Sequence, residues 1–452
     1  MKNSNFFLLS TISLGVSASV VLSSSMVQAA GFRIATFNTS LSPNQQNGLI
    51  EALSKTSSDP EYNTPGTLTY QARQIAEVIQ RINPDIILLN EFNYDPTNPT
   101  GAATLFQQNF LSVGQNVSGD PSGAANPITF NDFYVSPDST TNPFNTGIFS
   151  GYALNVAQGG PIAQPPIETA AYANTSWGFG FYPGQYGMAV YSKYDIVEDQ
   201  ARTFQNFLWQ DMPGNLLAGI TGNSPTDWYT PTVAAQFPLS SKSHWDLPID
   251  VNGEIVHVLA SHPTPPVFDG PEDRNGRRNY DEIRLWNDYI TPGQGNYIYD
   301  DQGVLGGLTP GSRFVIMGDQ NADPNDGDSV PGAINQLLNN PLVNTSLTPG
   351  SLGGVQYANS NPNHIGDPFY DTAAFTGGLR VDYVLPSTNL RIVDGQVFWP
   401  IDANPLSSLN DASDHHSVVL DVTTSIPEPS NLLGILGLAI GGLFGRRNRN
   451  SG

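Results

Sequence analysis

The chain has 452 residues, 40 acidic against 18 basic side chains, a formal net charge of −22 and no cysteine. That length allows one large domain or two ordinary ones with a sizeable core, and 44 glycines with 36 prolines favour a strand- and loop-rich globule over a helical bundle. The missing cysteines exclude a disulfide framework, a thiolate zinc site and a cysteine nucleophile.

Lys2, the apolar stretch Phe6 to Leu22 and the small-residue step Val27-Gln28-Ala29 form the pattern of a secretory signal cleaved after Ala29. Residues 1–29 are therefore expected to be removed, and 30–425 to form a single catalytic domain. Phe32 to Phe37 reads as the first strand, delivering Asn38 at its end; residues 41–69 are polar and read as a loop. From Tyr70 the three-four spacing of Ile75, Val78, Ile79 and Ile82 predicts an amphipathic helix, which Asn83-Pro84 ends. Ile86 to Leu89 is a continuous apolar run suited to a sheet covered on both faces, and it delivers Asn90-Glu91. Residues 95–185 lack periodicity and read as a long lid or binding loop. Further strands are expected at 188–192, 254–260 (running into Ser261-His262), 314–317 (before Gly318-Asp319-Gln320-Asn321), 381–385, 396–399 and 417–422 (behind Ser413-Asp414-His415). Helices are expected at 281–290 and 333–339. Trp209, Trp228 and Trp245 are assigned to core packing.

Each strand end presents an amide, carboxylate or imidazole where a ligand can be gripped. Glu91 must be exposed at its strand tip or paired with a cation, because burying it unpaired is prohibitive. Asp319 and Asn321, two apart, share a face if the chain is extended there, and together suit a metal and a phosphate. Asp414 beside His415 suits the same pair of tasks, whereas His416 alternates to the other side and reads as structural. Asp382 lies in a β-rich segment that disfavours aspartate, so it needs a partner, and a histidine ring nitrogen is the natural one. The acidic stretch Asp323 to Asp328 lacks the glycine of a calcium loop and is not an EF-hand; a solvated turn is expected there.

Asn38, Glu91, Ser192 of Val190-Tyr191-Ser192-Lys193, His262, Asp319 with Asn321, Asp382 and Asp414-His415 follow in order the motifs of the endonuclease/exonuclease/phosphatase superfamily, which the chain resembles. The resemblance implies an α+β fold of the DNase I-like type, a four-layer α/β/β/α sandwich. It implies Mg²⁺, or Mn²⁺ or Ca²⁺, held by Asn38, Glu91 and Asp414. His415, oriented by Asp382, would be general base or phosphate ligand; Asp319 would orient the nucleophilic water; Asn321 and His262 would bind phosphoryl oxygens. The chain departs from the family's usual Asn-Thr-His-Leu in Ala260-Ser261-His262-Pro263, and then carries Arg274, Arg277, Arg278 and Arg284. That cluster is either a phosphate clamp or a set of ion pairs with Glu272, Asp273, Asp281 and Glu282.

The expected function is an exported metal-dependent phosphoesterase acting on phosphate mono- or diesters. The alternatives are a secreted nuclease and an inactive surface or matrix protein on the same fold. Without Lys2, the three tail arginines and Glu428, 14 basic and 39 acidic residues remain, near −25. Proteins that hold duplex DNA use ~6–10 basic contacts to phosphates, so long nucleic acid is not an expected partner. Residues 426–452 combine Pro427-Glu428-Pro429, an apolar run from Leu432 to Phe444 and Arg446, Arg447 and Arg449. The run is shorter than the ~20 residues of a stable span. The arrangement resembles the PEP-CTERM sorting signal, which implies an exosortase-type processing enzyme, transient membrane association, and delivery to the surface or extracellular matrix of a Gram-negative bacterium.

Overall fold

The computed structural model describes residues 31–136, 142–221, 226–358 and 361–424. The expected signal segment 1–29 and sorting tail 426–452 lie outside the described residues. Among those that are described, no helix is long and apolar enough to cross a membrane.

The strands in chain order are β1 (Gly31–Leu41), β2 (Ile86–Phe92), β3 (Asp132–Tyr134), β4 (Met188–Ser192), β5 (Asp195–Ile196), β6 (Arg202–Thr203), β7 (His244–Val251), β8 (Glu254–Ser261), β9 (Arg313–Asp319), β10 (Asp382–Pro386), β11 (Leu390–Val397) and β12 (Val418–Thr424). One sheet runs β11-β12-β1-β2-β4-β3; the other runs β10-β9-β8-β7-β5, with β6 also on β7. Both mix parallel and antiparallel pairs: β1 lies parallel to β2, and β8 parallel to β9.

Strand periodicity explains the layering. In β9, Val315 and Met317 join the core shared with the first sheet, while Phe314 and Ile316 join a second cluster with Ile283, Leu285 and Trp286 of the helix Arg274–Ile290. In β8, Val258 and Ala260 face inward and Leu259 outward by the same alternation. The other outer layer is the helix Leu68–Ile82, whose Ala72, Ile75 and Ile79 pack with Ile34 and Ile86 in the first cluster. Two sheets face to face with a helix outside each give the expected four-layer α+β sandwich as a single domain over 31–424.

Several local expectations are corrected. The supposed loop 41–69 holds a helix Gly48–Leu53, buried through Leu49, Ala52 and Leu53, too short for its period to stand out among polar neighbours. The stretch 95–185 is not structureless: it contains the helix Gly101–Phe106, β3 and a turn of helix at Ala170–Ala173. The helix expected at 281–290 starts at Arg274, because its first turns bury Gly276, Arg278 and Asn279 and not hydrophobic side chains. β7 carries Pro248, a residue that argues against a central strand; its carbonyl is used all the same, accepting from the Val197 amide.

Candidate active site

The site begins with an irregularity between β1 and β2. Asn38 pairs with Asn90, but the next pair is Leu41 with Phe92, so β1 carries one residue more than β2 over this step. Ser40 and Glu91 take up the mismatch in the left-handed region, at φ 49° and 53°. A bulge of this kind re-aims side chains, and backbone held so costs about 1–3 kcal/mol, which surrounding structure must offset. Its effect here is to bring Asn38 and Glu91 together: Asn38 Nδ2 donates to Glu91 Oε1 at 3.2 Å and to Asp319 Oδ2 at 3.1 Å. Glu91 Oε2 accepts from Ser42 at 3.0 Å. Asn90 braces the junction from behind, its Oδ1 accepting from the Asp319 amide at 3.0 Å. Gly318 is required where β9 passes β8: at φ 135° any Cβ would collide with the Ser261 carbonyl.

Asp319 and Asp382 are direct cross-strand partners on β9 and β10. Two carboxylates so placed repel unless something cationic joins them, and His415 does. Its Nδ1 hydrogen-bonds Asp382 Oδ2 at 2.9 Å, and its Nε2 lies 3.7 Å from Asp319 Oδ2. Thr372 Oγ1 donates to the same Asp382 oxygen at 2.8 Å. From the opposite flank His262 Nε2 lies 3.4 Å from Asp319 Oδ2. All of these side chains except Glu91 and Ser42 are buried. Burial alone would lower His415, but Asp382 and Asp319 outweigh it and raise it well above the ordinary imidazole range. His262 moves the other way, lowered by burial and by Lys242 against the pull of Asp319. Burial would raise Asp319, yet His415 and His262 hold it well below the usual carboxylate range. One ionised carboxylate thus sits between a protonated and a neutral imidazole, the separation of proton affinities that acid–base chemistry needs.

The family model for the endonuclease/exonuclease/phosphatase family matches residues 35–415, from the middle of β1 to the histidine at the centre of this cluster. The chain belongs to that family. It is accordingly a metal-dependent hydrolase of ester bonds. A search of curated proteins finds no match. Among solved structures the chain is similar to an endonuclease/exonuclease/phosphatase from Beutenbergia cavernae at 16% identity, covering 88% of this chain and 72% of that one with a TM-score of 0.44. It is also similar to the beta toxin of Staphylococcus aureus (14%, 87% and 100%, TM-score 0.39) and to sphingomyelinase C from Streptomyces griseocarneus (13%, 87% and 99%, TM-score 0.37).

The residues present fit a divalent cation. Two carboxylates converge on the Asn38 amide, and among the described residues Glu91 has no ion-pair partner. The carboxylate oxygens suit Mg²⁺, Mn²⁺ or Ca²⁺, and Asn38 would add its amide oxygen by turning its side chain over, since here Oδ1 accepts from the Ser40 amide. Asp319, Asp382 and His415 also lie close enough to share an ion, but the Asp382 oxygen and His415 Nδ1 are bonded to each other, which makes this trio a carboxylate–imidazole–carboxylate relay.

Not every expected residue enters the cluster. Asp414 is exposed, its Oδ1 accepting from Ser40 at 3.0 Å, because the alternation that turns His415 inward turns Asp414 out. Asn321 does not continue an extended chain: β9 stops at Asp319 and Asn321 is left-handed at φ 52°, with its amide on Asp319 Oδ1 (2.8 Å) and its side chain on the Pro263 carbonyl (3.1 Å). Ser192 pairs with Ile86, at the far end of β2 from Glu91, and takes no part. His416 stacks on Trp399 with centroids 3.7 Å apart and is structural. Asp323 Oδ1 accepts from the amides of Asn325 and Asp326, so the acidic extension is a capped turn.

Of the arginine cluster, Arg274 and Arg278 line a cavity beside Glu91 and His262, and each is also tied into the frame. Arg278 is buried and donates to the carbonyls of Leu239, Trp177 and Pro238 at 2.8, 2.6 and 3.0 Å. Arg274 pairs with Glu272 and lies over Trp228; Arg284 pairs with Asp288 at 3.2 Å. Arg277 has its buried Nε without a partner. The long helix also supplies Glu282, which accepts from the Ser241 and Thr264 amides at 2.6 Å each and so ties together the loops bearing Lys242 and His262.

Beside Glu91 and His262 opens a cavity of about 520 Å³ lined by Trp177, Phe179, Tyr186, Tyr229, Phe237 and Phe268, among others. Lys242 lies in its wall, 6% exposed, its ammonium donating to the Pro263 carbonyl at 3.3 Å. Burial lowers it, with Glu282, Glu91 and Asp319 pulling the other way. Nothing in Ser240-Ser241-Lys242-Ser243 marks it from the sequence, where it looks like a solvated loop. Trp209 and Trp245 are fully buried, as expected of core residues.

Proposed function

We propose that this chain is an exported phosphoesterase that hydrolyses phosphate mono- or diesters by attack of water on phosphorus. Water oxygen bonds to phosphorus as the ester P–O bond breaks, leaving an alcohol and a phosphate. The reading rests chiefly on the convergence of Glu91, His415 and His262 on Asn38 and Asp319, each within hydrogen-bond reach of one of that pair. Glu91 and Asn38 would hold the cation, with Asp414 reaching the same edge through Ser40. A bound divalent ion offsets the charge that builds on phosphoryl oxygens, worth several kcal/mol. Ionised Asp319 orients the attacking water and accepts its proton. His415, protonated and fixed in its tautomer by Asp382, donates to a phosphoryl oxygen; this favours phosphate ligand over general base. His262 and Asn321 complete the grip on the phosphate. Residues 1–29 and 426–452 are proposed as the export and sorting signals, 30–425 as the catalytic domain, and the cell surface or matrix as its destination.

A panel of p-nitrophenyl phosphate, its bis-ester, sphingomyelin and plasmid DNA, each with Mg²⁺, Mn²⁺ or Ca²⁺ and with EDTA, tests the reading. Turnover of a small ester that EDTA abolishes, with plasmid left intact, is expected. No turnover of any substrate with any of the three ions would sink it, and preferential plasmid cutting would replace it with the nuclease reading.

A further inference from the structure

We infer that the cavity beside Glu91 and His262 receives the organic part of the ester and selects a planar aromatic group there, with Lys242 at its wall binding the ester's negative charge. This rests on the phosphoesterase reading and adds the substrate class. The volume, about 520 Å³, falls in the ~300–1,000 Å³ range of small-molecule sites. Its aromatic walls come mostly from the segments 144–186 and 229–237, outside the strands of the sandwich. Rings offer other rings edge-to-face and offset contacts that an alkyl group does not exploit. The exposed residues Asn155 and Asn174 also line the space, at its solvent side.

Arg274 and Arg278 also line the cavity, but Arg274 pairs with Glu272 and Arg278 donates to three backbone carbonyls, which leaves Lys242 to meet a charge there. Its side chain is buried, it forms no ion pair among the described residues, and its one hydrogen-bond acceptor is the Pro263 carbonyl. Of the carboxylates that act on it, Glu282 has both oxygens engaged by backbone amides, while Glu91 and Asp319 belong to the catalytic cluster. A buried ammonium with donors to spare at a cavity wall calls for an anion inside that cavity. The walls are braced to hold shape: Arg278 lies over Phe237 at 4.8 Å while bonding the Trp177 carbonyl at 2.6 Å. At the mouth Phe268 is 86% exposed and left-handed at φ 68°, a conformation bulky residues rarely adopt. The fold keeps that ring at the entrance without covering it.

Isothermal titration of the intact protein with phenylphosphonate and methylphosphonate, which are not hydrolysed, tests the inference without relying on turnover. Phenylphosphonate should bind about tenfold or more tightly. Phe268→Ala, at an exposed position that folding does not need, should weaken the phenyl ligand by at least about threefold and leave the methyl ligand unchanged. Lys242→Met should weaken both by about tenfold, and Lys242→Arg should recover part of the loss. Equal affinity for the two ligands in the wild type, or an unchanged preference in Phe268→Ala, would overturn the inference even if small esters are turned over. An aryl preference with no ester turnover would instead remove the catalytic reading.

Discussion

Replacing Asp382 by Asn removes one charge at nearly constant shape, and its first effect falls on the proton of His415. The Asp382 oxygen lies 2.9 Å from His415 Nδ1. At an effective dielectric of ~20 the gross attraction at that separation is about 6 kcal/mol. Removing one member of a buried pair costs about 3–5 kcal/mol net. At about 1.36 kcal/mol per pH unit, His415 should titrate about two to four units lower in the variant. In the wild type its proton is held to about pH 10; in Asp382→Asn it should be lost between about pH 6 and 8. At pH 9 the variant's imidazole is therefore neutral while the wild type's still carries its proton, so the variant can no longer donate to a phosphoryl oxygen and kcat/KM should fall by about two to four powers of ten. On lowering the pH towards 6 part of the activity should return, because the proton returns, while Asp319 stays ionised throughout. A histidine NMR titration of the metal-free protein and a pH–rate profile at saturating Mg²⁺ are the assays. An unchanged His415 titration, or a rate loss that deepens as the pH falls, would refute the reasoning.

Glu91→Gln keeps the bonds to Asn38 and Ser42 but removes the carboxylate charge. Mn²⁺ affinity by calorimetry should fall at least about tenfold, and wild-type affinity would take Glu91 out of the cation site. Glu282→Ala leaves the buried Ser241 and Thr264 amides unpaired, at about 1–3 kcal/mol each. Urea unfolding should therefore show a loss of about 2–6 kcal/mol; a loss below about 1 would mean that these loops hold without it. Arg278→Ala should destabilise by several kcal/mol, and Arg278→Lys nearly as much, because the fork is what reaches the three carbonyls. For the folded fraction kcat should stay within about threefold of wild type, because Arg278 touches none of the groups around Asp319. Full stability with a tenfold higher KM would restore the phosphate-clamp reading.

The parts of the site that are legible in the sequence are those that derive from a strand's apolar run and its end. Ile86 to Leu89 and Phe314 to Met317 announce themselves, so Glu91 and Asp319 can be placed at strand tips from sequence alone. The Asp382–His415 pair is legible because aspartate is unwelcome in a strand without a partner. The hidden parts depend on single backbone angles. The left-handed residues Ser40, Glu91 and Asn321 break the two-residue period on which a shared face for Asp319 and Asn321 depends. The same period, applied one residue earlier than at His416, separates Asp414 from His415. Arg278 misleads because a charged residue beside a candidate histidine looks alike in sequence whether it faces ligand or backbone carbonyls. Lys242 escapes notice for the converse reason: its burial comes from Glu282 and the 262–264 loop, both distant in the chain.

The two histidines flanking Asp319 differ through their second neighbours. His415 has Asp382 behind it and keeps its proton; His262 has Lys242 near it and loses its own. His262 Nδ1 is buried without a partner. Burial is the larger cause at His262 and Lys242 adds to it, whereas at His415 the Asp382 and Asp319 carboxylates overcome the same burial. The arrangement also sets the direction of approach. On the His415 flank the Asp382 carboxylate, the Thr372 hydroxyl and the edge of Phe375, 5.3 Å from the imidazole, close the site. On the His262 flank lie the open cavity and its ammonium. In a protein of net charge −22, an anionic ester meets repulsion over most of the surface, so the flank carrying Lys242 is where it can enter and be held.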